Sequence, residues 1–178
     1  MPEKKPPMPR SKSKTIFKGR LLHLTTELQT LPNGHKKTIE LIRHPGAALI
    51  VPFLNKNTIV MIRQYRPAIG TYLYELPAGT LDRNERPLHC AKREIVEEIG
   101  YRARYFKKLG MIYPAPGYSD EKITIYKAWN LTPDYRPGDP DEIIQIRKYT
   151  FPQMRKLVKL GKIRDSKTLA AFTLVGIV

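Results

Sequence analysis

The sequence predicts an α/β protein in which a body of strands and helices is preceded by a small antiparallel β unit. Three observations carry that expectation. Runs at 15–44, 47–53, 58–66, 103–112 and 122–130 either alternate apolar and polar residues or stay apolar between turn formers, as strands do. A stretch at 87–99 instead repeats its apolar residues at helical spacing, between a proline and a glycine. Two more helical patterns, at 151–160 and 166–177, close the chain.

The composition suits one domain with a sizeable core: 178 residues, 41% hydrophobic and 27% charged. The formal net charge of +16 is unusual and predicts attraction to polyanions, whether phosphorylated metabolites, nucleic acid or an anionic membrane surface. The single cysteine, Cys90, cannot form an intrachain disulfide, which suits a reducing compartment. It is expected to pack rather than to act as a nucleophile. His23, His35, His44 and His89 are scattered without zinc-ligand spacing. No run approaches the roughly 20 apolar residues of a membrane span, and no signal-peptide core follows the basic start. The expectation is a cytoplasmic protein with no membrane partner.

Residues 1–14, rich in proline, lysine and serine, are expected to form a disordered basic tail. Residues 15–44 then read as an antiparallel pair. Leu22, Leu24 and Leu28 supply one apolar face, Ile39 and Leu41 part of the return strand, and Asn33-Gly34 a hairpin turn whose two positions accept positive φ. Such a unit is marginal alone and must lean on another surface. AALIVPF (47–53) and TIVMIRQYR (58–66) follow as core strands, the second ending in the cations Arg63 and Arg66. Between the strands at 103–112 and 122–130 lies a turn-rich loop, 113–121, with Pro116-Gly117 at its centre. The stretch 133–142 is a polar loop, Gly161 separates the closing helices, and Ser166 is the expected N-cap of the last.

The segment from Ala78 to Tyr101 carries the chemistry. Pro87 suits a helix's first turn and Gly100 its stop, while Leu88, Ala91, Ile95 and Ile99 form one buried stripe. Glu94, Glu97 and Glu98 share a neighbouring face, because residues three and four apart stack on a helix. Like charges so placed repel. A solvated face partly neutralised by Lys92 and Arg93 would tolerate them, and a divalent cation would turn the repulsion into binding.

The spacing narrows this choice. Gly79, five residues, Glu85, seven residues, then Arg93-Glu94-Ile95-x-Glu97-Glu98-x-Gly100 resembles the Nudix box at each of its charged and glycine positions. Tyr101 departs from the usual aliphatic residue. RQYRP and YELPAG, with the proline–glycine pair sixteen residues beyond the box, resemble the ADP-ribose pyrophosphatase and nucleoside diphosphate sugar branch of that family. The resemblance runs from about residue 15 onward, and GKIRDSKTLAAF resembles the family's last helix.

The resemblance implies a Nudix α/β/α sandwich over 45–178, a mixed sheet between helices, with 15–44 serving dimerisation. It implies that Glu94 and Glu98 bind Mg²⁺ (or Mn²⁺), that Glu97 binds a further ion and that the carbonyl of Ala78 completes a site. By the same resemblance Glu85 and Arg93 hold the loop to the helix, and Arg66, Asp82 and Glu121 contact substrate. Glu142 is the catalytic base that aligns best, with Asp139 and Asp141 as competitors and Glu97 as a box alternative. Ala115 and Pro140 depart from common family residues, the first with the loss of one substrate hydrogen bond.

The implied reaction is Mg²⁺-dependent hydrolysis of ADP-ribose, or of GDP-mannose or UDP-glucose, to a nucleoside monophosphate and a sugar phosphate by a homodimer. An RNA or dinucleoside-polyphosphate hydrolase, suggested by the +16 charge, is the second reading. A non-catalytic nucleic-acid binder is the third; a complete set of box glutamates argues against it.

Overall fold

The structure, a computed structural model, describes residues 13–135 and 143–178, which fall into two compact units. The first comprises the residues up to His44 together with 115–121; the second comprises 45–114 and 122–178.

In the first unit, strands β1 (Ser13–Lys18), β2 (His23–Thr30) and β3 (Lys36–Arg43) form an antiparallel sheet in that order. There are three strands where the sequence suggested two, and β1 starts two residues inside the expected tail. A bulge between Thr15 and Phe17 breaks the alternation that would have announced β1. The β2–β3 turn also differs from the expected two-residue hairpin. It spans 31–35, and only Gly34 enters the left-handed region, at φ 81°. Asn33 instead uses its side-chain oxygen to accept from the amide of His35 at 3.0 Å.

The leucines do not form the buried face: Leu22, just before β2, and Leu28 are exposed and Leu24 is half-buried, while Thr25 and Glu27 are buried. Glu27 survives there because Arg43, across the sheet on β3, donates from Nε to its Oε1 at 3.0 Å and Thr25 Oγ1 donates at 3.1 Å. Burial pushes the Glu27 carboxyl up, but Arg43 and Thr25 together outweigh it and hold it below its usual range.

Arg43 also donates to Asp120 at 2.8 Å, and the Asp120 carboxylate accepts from the amide of His44 at 2.8 Å. With Ile42 N donating to Tyr118 O at 2.8 Å and Asp120 N to Ile42 O at 3.2 Å, the loop 115–121 is fastened to β3.

The second unit is built on β4 (Ala47–Asn55), β5 (Thr58–Arg66), β8 (Tyr101–Ile112), β9 (Ile123–Pro133) and β10 (Ile144–Thr150), in the order β10-β5-β4-β9-β8. Two short strands join them: β6 (Thr71–Glu75) pairs with β5, and β7 (Ala78–Thr80) with β4. β4 and β9 run parallel and the other pairs antiparallel, so the sheet is mixed, as the resemblance implied.

Successive side chains of β4 point to opposite faces, and both faces are covered. Ala48 and Ile50 pack with Cys90, Ala91, Ile95 and Ile99 of α1 (Pro87–Ile99). Leu49, Val51 and Phe53 pack with Met154 of α2 (Phe151–Lys159) and with Ala171 and Phe172 of α3 (Ser166–Leu174). The result is an α/β/α sandwich. The N-cap of α3 is Asp165 rather than Ser166: its carboxylate accepts from Thr168 N at 3.0 Å, one residue earlier than expected.

Candidate active site

The site grows from β4. Ala48 pairs with Gly79 and Leu49 with Ala78, and Leu81 N donates to Gly46 O at 3.0 Å, so the segment before α1 lies along the sheet rather than in solvent. The buried stripe of α1 sets the helix on the same strand and turns its acidic face toward that segment. Glu98 then accepts from Ala78 N at 2.9 Å. A Cβ at Gly79 would stand 1.7 Å from Glu94 Oε1, so the glycine is there to make room for a carboxylate. Glu94 and Glu98 are both nearly buried, at 8% and 5% exposure.

Arg93 gathers the acids. Its Nη1 donates to Glu94 at 2.6 Å and to Glu97 at 3.0 Å; its Nε and Nη2 donate to Glu85 at 3.2 and 3.0 Å. Nη2 also reaches Thr80 O at 3.2 Å, and Asp82 stands 3.7 Å from Nε, largely exposed. Glu85 accepts from Asp82 N at 3.0 Å, which closes the loop. Arg93 holds the Glu85 carboxyl below its usual range, and Glu85 in turn raises the guanidinium's already high pKa. Cys90 is buried beneath this cluster, its thiol pushed up to about 12 first by burial and then by the charge of Glu94. That suits packing, as expected.

Arg66 reaches the same neighbourhood. Glu98 adds to the charges that favour its protonated form, after the dominant hydrogen bond that Arg66 donates to Glu75. Glu75, fully buried at the end of β6, accepts from Arg66 Nε at 2.7 Å and Nη2 at 2.6 Å, and also from Lys167 of α3. Lys167 and Glu75 carry no signal in the sequence, because each meets its partner 92 positions away.

Glu121 and the loop before it belong to the first unit, where Glu121 lies 3.8 Å from the His44 ring. Glu142, Asp139 and Asp141 lie outside the described residues.

The NUDIX domain model matches residues 43–172. The chain belongs to the Nudix family.

It is 34% identical to the ADP-ribose pyrophosphatase of Bacillus subtilis (strain 168), over 88% of this chain and 85% of that one. It is 36% identical to the methanol dehydrogenase activator of Bacillus methanolicus, over 90% and 88%, and 34% identical to the GDP-mannose pyrophosphatase of Escherichia coli O157:H7, over 75% and 78%. A solved structure titled as that of an ADP compounds hydrolase superposes with a TM-score of 0.81 at 25% identity, covering 97% and 92% of the two chains. This chain, with its Nudix domain, is a hydrolase.

Carboxylate and carbonyl oxygens suit a hard divalent cation. Three glutamates of the box, Glu85, Glu94 and Glu97, share one arginine, while Glu98 accepts from the Ala78 amide, which leaves an excess of negative charge. Among the described residues, however, no three Asp, Glu, His or Cys side chains converge on one point, because Arg93 draws Glu94 and Glu97 to itself and Glu98 turns to the Ala78 amide. The donors fit such an ion in chemistry. Among the described residues no helix is long and apolar enough to cross a membrane.

Proposed function

We propose that the chain is a Mg²⁺-dependent diphosphatase that hydrolyses ADP-ribose, or a related nucleoside diphosphate sugar, to a nucleoside monophosphate and a sugar phosphate. One observation carries this reading: of the buried acidic pair, Glu94 is packed against Gly79 while Glu98 accepts from the Ala78 amide and is among the charges that favour protonated Arg66. Such a combination suits a cation on one side of a diphosphate and a guanidinium on the other.

Glu94, Glu98 and the Ala78 carbonyl would hold one ion and Glu97 a further one. When bound, a divalent ion supplies charge neutralisation and a more acidic water. The chain's own residues do the rest. Arg66 holds and orients the diphosphate, and Asp82 and Glu121 hold the remainder of the substrate. Glu142 or Glu97 takes the proton from the attacking water. Arg93, bound to Glu85 and Thr80 O, keeps the loop in register with α1. The buried free thiol of Cys90 accords with a cytoplasmic setting.

The active species is proposed to be a homodimer joined through the first unit. Ile16, Phe17, Leu21, Leu22 and Leu28 are all exposed there, more apolar surface than a small sheet usually leaves in water. Light scattering should give a dimer at assay concentration; a fully active monomer would remove this part.

A panel of ADP-ribose, GDP-mannose, UDP-glucose, dinucleoside polyphosphates and 5′-triphosphorylated RNA, scored for monophosphate release with Mg²⁺, tests the function. A chelator should abolish turnover. Mg²⁺ alone should raise the melting temperature of wild type but not of Glu98→Gln. Preferred cleavage of the RNA or the polyphosphates would favour the second reading.

A further inference from the structure

Arg66 does not stand alone. Its guanidinium presents two edges, and Glu75 occupies the one formed by Nε and Nη2, at 2.7 and 2.6 Å. Nη1 has no partner among the described residues, and the side chain is 38% exposed, so the second edge reaches solvent. Glu75 is itself buried at 1% exposure, where an unpaired carboxylate would be costly. The second cation on it is Lys167, whose Nζ also donates to Asp165 at 2.8 Å. Asp165 in turn caps α3. Charges alternate along the chain Asp165, Lys167, Glu75, Arg66 and end at the free guanidinium edge.

A second contact fixes the same geometry. Thr168, fully buried, accepts from Leu76 N at 2.9 Å and donates to Asp165 at 2.6 Å. Two consecutive residues of α3, Lys167 and Thr168, therefore grip two consecutive residues, Glu75 and Leu76. The start of α3 and the end of β6 behave as one part, and Arg66 is docked on it.

We propose that Lys167 is a positioning residue for Arg66. By sharing Glu75 it stops that carboxylate from cancelling the guanidinium's charge, and it fixes which edge Arg66 turns outward. This rests on the assignment of Arg66 to the substrate diphosphate. Without Lys167, Glu75 turns wholly to Arg66 and competes with the diphosphate for it.

Steady-state kinetics on ADP-ribose at saturating Mg²⁺, with folding checked by circular dichroism, test this. Lys167→Met should raise KM about tenfold with a smaller change in kcat, the size expected when one member of a coupled network is removed. Lys167→Arg, which keeps the charge, should restore KM. In an Arg66→Ala background, Lys167→Met should add nothing further. Should Lys167→Met fail to fold, Lys167→Gln carries the same expectations. An unchanged KM, or an equal effect with and without Arg66, overturns the positioning role while leaving the diphosphate reading intact. An Arg66→Ala enzyme with wild-type KM overturns both.

Discussion

Arg93 and Glu75 are opposites in charge accounting. Around Arg93, one guanidinium serves Glu85, Glu94 and Glu97. Around Glu75, one carboxylate serves two cations, Arg66 and Lys167. The first cluster has negative charge to spare and the second ends in a guanidinium edge with none to meet it. On the proposed function a diphosphate with its cation would need both, and each cluster would supply the half that the other lacks. The two also differ in origin. The first is written within fourteen consecutive residues, 85–98, whereas the second is assembled from 66, 75 and 165–168, parts that meet only in the folded chain.

The acidic cluster should be the more sensitive to charge. Glu98→Gln keeps size and helix propensity, and turnover should fall on the order of a hundredfold or more, the scale expected when an ion that stabilises transition-state charge is lost. The melting temperature without metal should barely move. Near-normal turnover at saturating Mg²⁺ would break the comparison at its acidic end.

Gly79→Ala probes shape in the same place. The new Cβ would fall 1.7 Å from Glu94 Oε1, so the carboxylate must move. Turnover should drop about tenfold or more, with about 1–3 kcal/mol of stability lost to overpacking. A crystal structure or thermal melt showing Glu94 and stability unchanged would contradict the close packing.

Acid should loosen both clusters. Arg93 holds Glu85 below its usual range, and Glu75 is held below too: burial pushes it up most strongly, but Arg66 and Lys167 together outweigh it. A carboxyl depressed by folding contributes stability that is fully present above its unfolded pKa of about 4.3 and is lost as pH falls through the lower folded value. Melting temperatures should therefore decline below about pH 4, and Glu85→Gln should flatten that decline. An unaltered slope in the variant would show that Glu85 contributes none of it.

The smallest effect is expected from the tail. Deleting residues 1–12 should leave ADP-ribose turnover nearly unchanged, whereas steeply salt-dependent RNA binding that vanishes with the deletion would point to nucleic acid.

Most of the sandwich was legible because its signals are local. Helix periodicity at 87–99, the caps Pro87 and Gly100, and the apolar runs of β4 and β5 each report on neighbours a few residues away. The short strands β6 and β7 were not legible: five and three residues are too few to show a period. The polarity of β2 was misjudged because a leucine usually outranks a threonine for burial, and here Glu27 wins by pairing with Arg43, sixteen residues on. The same limit hid Lys167, whose partner Glu75 lies 92 positions away. The box declared itself because Gly79 and Glu94, though they meet in space, sit within one motif.

The parallel pairing of β4 with β9 has a consequence for how the chain comes into being. Ala47–Phe53 hydrogen-bonds with Ile123–Trp129, and the whole box lies between. Closing so long a loop delays the central pairing relative to local contacts. As the chain leaves the ribosome, α1 can form early, while AALIVPF waits with one edge open. An apolar strand with an unpaired edge invites pairing with other chains. Truncation before residue 123 should therefore produce insoluble material with an intact motif rather than a soluble, inactive enzyme.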